Sequence, residues 1–264
     1  MTRVALFGVL AVAVFALAFA GGRVLDVGPR TVAEAAAHEA DAPTGEDEGH
    51  ADAAPAGLAV AERGFRLVAE RTELRGGRGE EFVFRILDEG RTVRDFDVEH
   101  ERRLHLVVVK RELDVFLHLH PEQRRDGSWV TRLQLPADGV YRAFADFTSA
   151  GERRTLGIDL FARGGGATPP PAPASPYATE LRRDGERLEF RVTRGGRPVR
   201  FEPYLGAGGH LVVLREGDLA YIHAHADEDR LAFDVPFPTP GRYRLFLQFK
   251  ADGSVHTRSF EVRA

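Results

Sequence analysis

Residues 115–122 read VFLHLHPE, which sets His118 and His120 one residue apart in an otherwise apolar run. Along a strand, residues i and i+2 share a face roughly 7 Å apart, so two imidazoles there can converge on one ion. The pair alone is weak, because any amphipathic strand can carry two polar residues on its wet face. His105 strengthens it, lying thirteen residues before His118 and fifteen before His120, across a short polar turn around Glu112 and Leu113. A regular hairpin centred between those two turn residues sets His105 opposite His120, with Cβ atoms about 4.5–5.5 Å apart on the same face. His210, His223 and His225 repeat the thirteen and fifteen spacing around Gly217 and Asp218. Gly-Asp is the better tight-turn dipeptide, so the register in which His210 faces His225 is the firmer of the two.

Three neutral imidazoles are a sound ligand set for Zn(II) or Cu(II), with a fourth position left for water or another ligand. The chain has no cysteine and only Met1 as methionine, which excludes thiolate chemistry and disulfides and disfavours a high-affinity Cu(I) site. His100, in FDVEHERRLH, is a further ligand candidate in the first copy. The second copy reads YLGAGGH there and has no matching histidine. The competing reading is a hydrogen-bonded or stacked histidine cluster that stabilises the hairpin. Clustered imidazoles serve stability poorly, since they repel once protonated near about pH 6.5. Catalysis is not expected: there is no G-x-S-x-G elbow, no cysteine and no carboxylate at a general-base spacing. A three-histidine hydrolase or oxidase is the minor enzymatic alternative.

The elements that must hold these histidines are strands. From residue 64 onward, short runs rich in Val, Phe, Leu and Tyr, such as EEFVFRIL, RLHLVVVKR and GVYRAFADF, alternate with Gly, Asp and Pro, and no amphipathic helix intervenes. The expected class is all-β. The chain is also a duplication: FRILDEGRTV matches FRVTRGGRPV, LHLVVVKRELDVFLHLHPE matches GHLVVLREGDLAYIHAHAD, and LPADGVYRAFADFTSAG matches FPTPGRYRLFLQFKADG. Each copy has the size and texture of an immunoglobulin-like β-sandwich, with a small closed barrel or copper-carrier-like sandwich fitting the strand count almost as well. DGVYR and PGRYR sharpen this, because a Gly-x-Tyr at the start of a late strand looks like a tyrosine corner, built here on Tyr141 and Tyr243.

The organisation expected is a signal peptide or membrane anchor over 1–27, a disordered acidic and Ala-rich tether over 28–57, a sandwich over 58–163, a Pro/Gly-rich linker over 164–178 and a second sandwich over 179–264. The N-terminal run from Val4 to Ala20 is uncharged, follows Arg3 and ends in an A-x-A site, so the protein is expected to be extracytoplasmic, anchored or secreted. With 264 residues, a formal charge of −4 and a pI near 6.2, the composition argues against a general nucleic-acid binder, since a polyanion partner wants a clustered basic surface. The partners expected are a metal ion, the membrane through the N-terminal segment, and a cell-envelope protein. The principal alternative function is an extracytoplasmic adhesion or assembly module whose histidines are structural.

FDVEHERRLHLVVVKRELDVFLHLHPE, DGSWVTRLQLPADGVYRAFADFT, YLGAGGHLVVLREGDLAYIHAHA and GRYRLFLQF resemble the uncharacterised exported tandem-repeat His-x-His(-Pro) proteins of high-GC Gram-positive bacteria. Those proteins are loosely associated with heavy-metal or copper handling. The resemblance runs from about Pro55 to the end and implies a histidine set of His100, His105, His118, His120, His210, His223 and His225. It brings no settled activity with it. The proline after the first His-x-His, Pro121, is replaced by Ala226 in the second copy.

Overall fold

A computed structural model of the chain describes residues 55–165, 175–226 and 230–264. The expected signal or anchor, nearly all of the tether and most of the Pro-rich linker lie outside the described residues. Among the described residues all regular structure is β, and none is a helix long and apolar enough to cross a membrane.

The first repeat has two sheets. One is ordered Ala61–Glu62, Phe65–Ala69, Gly79–Asp88, Trp129–Gln134 and Glu122–Gln123, with Arg91–Thr92 paired on Gly79–Asp88. The other runs Glu73–Arg75, Glu152–Arg163, Gly139–Ser149, Leu104–Lys110 and Phe116–Leu119. Phe82, Phe84 and Ile86 of the one sheet and Leu104, Leu106 and Tyr141 of the other share one buried cluster, as expected of sheets packed face to face. In the second repeat, Tyr177–Asp184, Arg187–Arg194, Arg197–Pro198 and Ala232–Asp234 face a sheet ordered Tyr221–His225, His210–Arg215, Arg242–Ala251 and Ser254–Arg263, again over one core.

Both tyrosine corners form as expected. The Tyr141 hydroxyl donates to the Ala137 carbonyl at 2.9 Å and accepts from the Ala137 amide at 3.2 Å, and the Tyr243 hydroxyl donates to the Thr239 carbonyl at 2.7 Å. Both rings are fully buried. Tyr141→Phe leaves buried backbone groups without their partner and is expected to cost about 1–2 kcal/mol. A shift of the urea midpoint at constant m-value would measure it, and no shift would refute it.

The strand Leu104–Lys110 is buried almost end to end, and period-two alternation explains how. Leu104, Leu106 and Val108 turn into the first core. Val107 and Val109 turn the other way, into a third cluster with Phe144, Val212, Leu214, Tyr221 and Phe246. The two repeats therefore pack outer face against outer face. Phe144 stacks on Tyr221 with centroids 4.8 Å apart, and Phe116 on Phe246 at 4.4 Å. In the duplicated blocks Phe116 corresponds to Tyr221 and Phe144 to Phe246, so the same contact occurs twice with the repeats exchanged. This is the self-complementary contact of a twofold dimer, built here within one chain.

The last residues of the segment read as a tether, 55–57, pack into this seam. The Tyr221 amide donates to the Ala56 carbonyl, the Gly57 amide to the Thr155 carbonyl, and Arg142 to the Gly57 carbonyl. Gly57 has φ +77°, and a Cβ there would lie 2.7 Å from the Phe144 ring and 2.9 Å from Tyr221 Cβ. Only glycine combines that backbone with so close an approach.

Candidate metal centre

The hairpin registers are those the turns imply. Leu106 pairs with Leu119 and Val107 with His118, which brings His105 across from His120, while His210 pairs directly with His225. In each repeat three imidazoles meet on the outer face. One ring nitrogen each from His105, His118 and His120 lie within 4.8 Å of one another, and so do those of His210, His223 and His225.

That outer face is the face the repeats bury between them, so the triads abut. The His105 ring is 5.2 Å from His223, and His118 is 5.4 Å from His223 and 5.7 Å from His210, centroid to centroid. Two triads expected one per sandwich thus form a single histidine body, inside the seam and beside its aromatic stacks.

His100 departs from its expected place. Its ring stacks on His225 at 3.6 Å and lies 6.0 Å from His210, joining the second repeat's triad and not the first's. Glu99 and Arg102 close a tight turn by reciprocal backbone hydrogen bonds, with His100 at φ +49°, and this turn projects the ring over the seam. Tyr204 and Ala207 close the same turn in the second repeat, where Leu205 occupies the position of His100.

Two further residues complete the site. Asp146 lies across the sheet from His105 and Gln248 across from His210, at corresponding positions of the duplication. Each reaches the middle histidine of the other repeat: His223 Nδ1–H donates to Asp146 Oδ2 at 2.8 Å, and His118 Nδ1–H donates to Gln248 Oε1 at 2.7 Å. Each is held from behind by an equivalent threonine, Thr155 donating to Asp146 and Gln248 donating to Thr257. Asp146 also accepts two hydrogen bonds from Arg153. Their sequence signal was a lone polar residue in each apolar run, RAFADF and RLFLQF. Only pairing of a third strand onto the hairpin shows where they point.

A family profile described as a domain of unknown function, DUF8832, matches residues 60–163 and again 179–264. The chain belongs to the DUF8832 family. Its two matched segments correspond to the two copies of the duplication. No curated protein matches the chain. Among solved structures, this DUF8832 chain aligns with α-2-macroglobulin of Salmonella at 14% identity over 80% of its own length and 15% of the other's, TM-score 0.29. It aligns with a two-domain fibronectin type III segment of chicken tenascin at 12%, over 75% and 97%, TM-score 0.25. The Escherichia coli adhesin FdeC aligns at 10%, over 78% and 65%, TM-score 0.28. The chain thus spans about a sixth of the Salmonella protein.

Hydrogen-bond roles in the DUF8832 histidine body follow from what each partner can do. The Tyr204 carbonyl only accepts, so His210 Nε2, 2.9 Å away, carries the proton. His223 Nδ1 likewise carries the proton it gives to Asp146. With one proton on each ring, placed by those partners, His210 Nδ1 and His223 Nε2 face each other at 3.4 Å with lone pairs on both. A cation, either a proton or a metal ion, resolves that arrangement. The first triad differs: His118 Nε2 accepts from His105 Nδ1–H at 3.0 Å. Nε2 of His105, His120 and His225 is buried without a partner in the protein, and an unsatisfied buried nitrogen costs about 1–3 kcal/mol.

Burial pushes the His105 and His210 imidazoles down to about 2 and 3, and burial, then Arg102, pushes His120 down to about 4. His118 and His225 are lowered as well, chiefly by burial. These rings are neutral at neutral pH, which is the form that binds metal. Burial would raise the Asp146 carboxyl, but the bonds from His223 and Arg153 hold it below the ordinary carboxylate range. With Zn–N near 2.0–2.1 Å, neighbouring ligand nitrogens of a tetrahedral site lie about 3.3 Å apart. The 3.0 Å and 3.4 Å contacts bracket that edge, and an all-imidazole donor set suits Zn(II) and Cu(II).

Proposed function

We propose that the protein is an exported, non-enzymatic metal-binding protein for Cu(II) or Zn(II), ligated by His105, His118 and His120 and by His210, His223 and His225, and acting as a buffer, carrier or sensor. The observation that carries this reading is the facing pair His210 Nδ1 and His223 Nε2, whose protons are both committed elsewhere. The unpartnered Nε2 atoms of His120 and His225 add to it. The extracytoplasmic location rests on the N-terminal sequence.

The second reading keeps the two sandwiches as an extracytoplasmic adhesion or assembly module with structural histidines. The relay from His105 to His118 to Gln248, satisfied without any ion, favours it for the first triad. Titration of the purified protein with Cu(II) and with Zn(II) separates the two. Stoichiometric uptake that disappears when all six triad histidines are replaced by alanine is expected. Uptake that survives the replacement would overturn the metal reading, and no uptake by the unaltered protein would favour the module.

A further inference from the structure

We propose that the two triads form one asymmetric binuclear centre, in which His210, His223 and His225 hold the tight ion and His105, His118 and His120 the weaker, exchangeable one. The inference rests on the metal-binding reading and says how the two halves divide the work.

Three observations set the order. The first is charge. The imidazole behind which Asp146 sits is His223, so the second triad has a buried carboxylate, shared with Arg153, at a far nitrogen, whereas the first has only the Gln248 amide behind His118. A carboxylate at the far nitrogen makes an imidazole a stronger donor and holds its other nitrogen towards the ion; an amide supplies the orientation without the charge.

The second is preorganisation. His210 is anchored by Nε2–H on the Tyr204 carbonyl and His223 by Nδ1–H on Asp146, so two of the three second-triad ligands are aimed by outer hydrogen bonds. His118 is the one ring so aimed in the first triad. His100 further covers His225 from the other repeat, and Leu205 stands where its counterpart would be.

The third is what the ion must displace. In the second triad it enters between two facing lone pairs. In the first it must break the His105 to His118 hydrogen bond. All three act in the same direction, and the first repeat supplies both Asp146 and His100 to a triad whose ligands come from the second. The tight site is therefore incomplete without the other repeat. Asp146 and Gln248 are positioning residues, since neither is among the ligand nitrogens.

Exchanging such outer partners changes metal affinity by about 10–100-fold, which makes the order measurable. Zn(II) titrated against a competing chelator should bind the whole protein in two resolved steps. His118→Ala should remove the weaker step and His223→Ala the tighter one. Asp146→Asn should weaken the tight step about 10–100-fold. Gln248→Glu, which adds charge behind His118, should strengthen the weak step by a like factor. One affinity for both ions, a tight step that follows His118, or a weak step indifferent to Gln248→Glu would overturn the asymmetry. No zinc uptake at all would overturn the underlying metal-binding reading with it.

Discussion

Acidification of the metal-free protein from pH 6.5 to pH 4.5 is expected to remove about 5 kcal/mol of stability through His105 and His210 alone. Their folded pKa values are lowered to about 2 and 3, while in the unfolded chain they stay near 6.5. Between those values the unfolded state holds more protons, so stability rises with pH. The contribution is complete above about 6.5 and falls as pH drops towards the folded values, at about 1.4 kcal/mol per pH unit for each ring. A loss of that size rivals the whole stability of many domains, about 5–15 kcal/mol, so the seam between the repeats should open in this window. Urea unfolding at half-unit pH steps reads the slope directly, and a stability flat from pH 7 to 4.5 would refute it. Zn(II) competes with protons for the same nitrogens, so the loaded protein should keep its stability to lower pH.

Asp146→Ala is expected to cost about 2–4 kcal/mol, because it leaves the buried His223 and Thr155 donors without their acceptor, while the exposed Arg153 can turn to water. Asp146 is 2% exposed and accepts from His223 at 2.8 Å, from Arg153 at 2.7 and 3.2 Å and from Thr155 at 3.1 Å. The substitution strands the two buried donors, His223 and Thr155, at once. At the equivalent position, Gln248→Ala strips neutral hydrogen bonds from His118 and Thr257 and should cost only about 1–2 kcal/mol. The pair compares a charged with a neutral bridge at matched sites, and metal-free chemical denaturation of both variants measures it. Equal losses would show that the Asp146 charge contributes nothing to holding the repeats together.

Much of the site was legible in the residues because its geometry is local. His105, His118 and His120 converge through a single hairpin whose register follows from its turn, and the same spacing recurs at His210, His223 and His225. The tyrosine corners were legible for the same reason, as Tyr141 and Tyr243 each bond a group four residues back. A signal for the seam was also present, in VVV at 107–109 and in LVVL at 211–214. A strand apolar on successive residues is covered on both faces, which marks the outer faces as buried and the histidines beside Val107 and Val212 as buried with them.

The sequence by itself therefore determined the strands, the duplication and each three-histidine hairpin, all set by period-two alternation and turn chemistry over about fifteen residues. Tertiary structure alone decided that the two hairpins share one centre. His118 meets Gln248 and His223 meets Asp146 across 130 and 77 residues of chain, and His100 crosses to the other repeat. No local periodicity encodes such pairings, because they arise only when two apolar faces leave water against each other and bring their polar margins along.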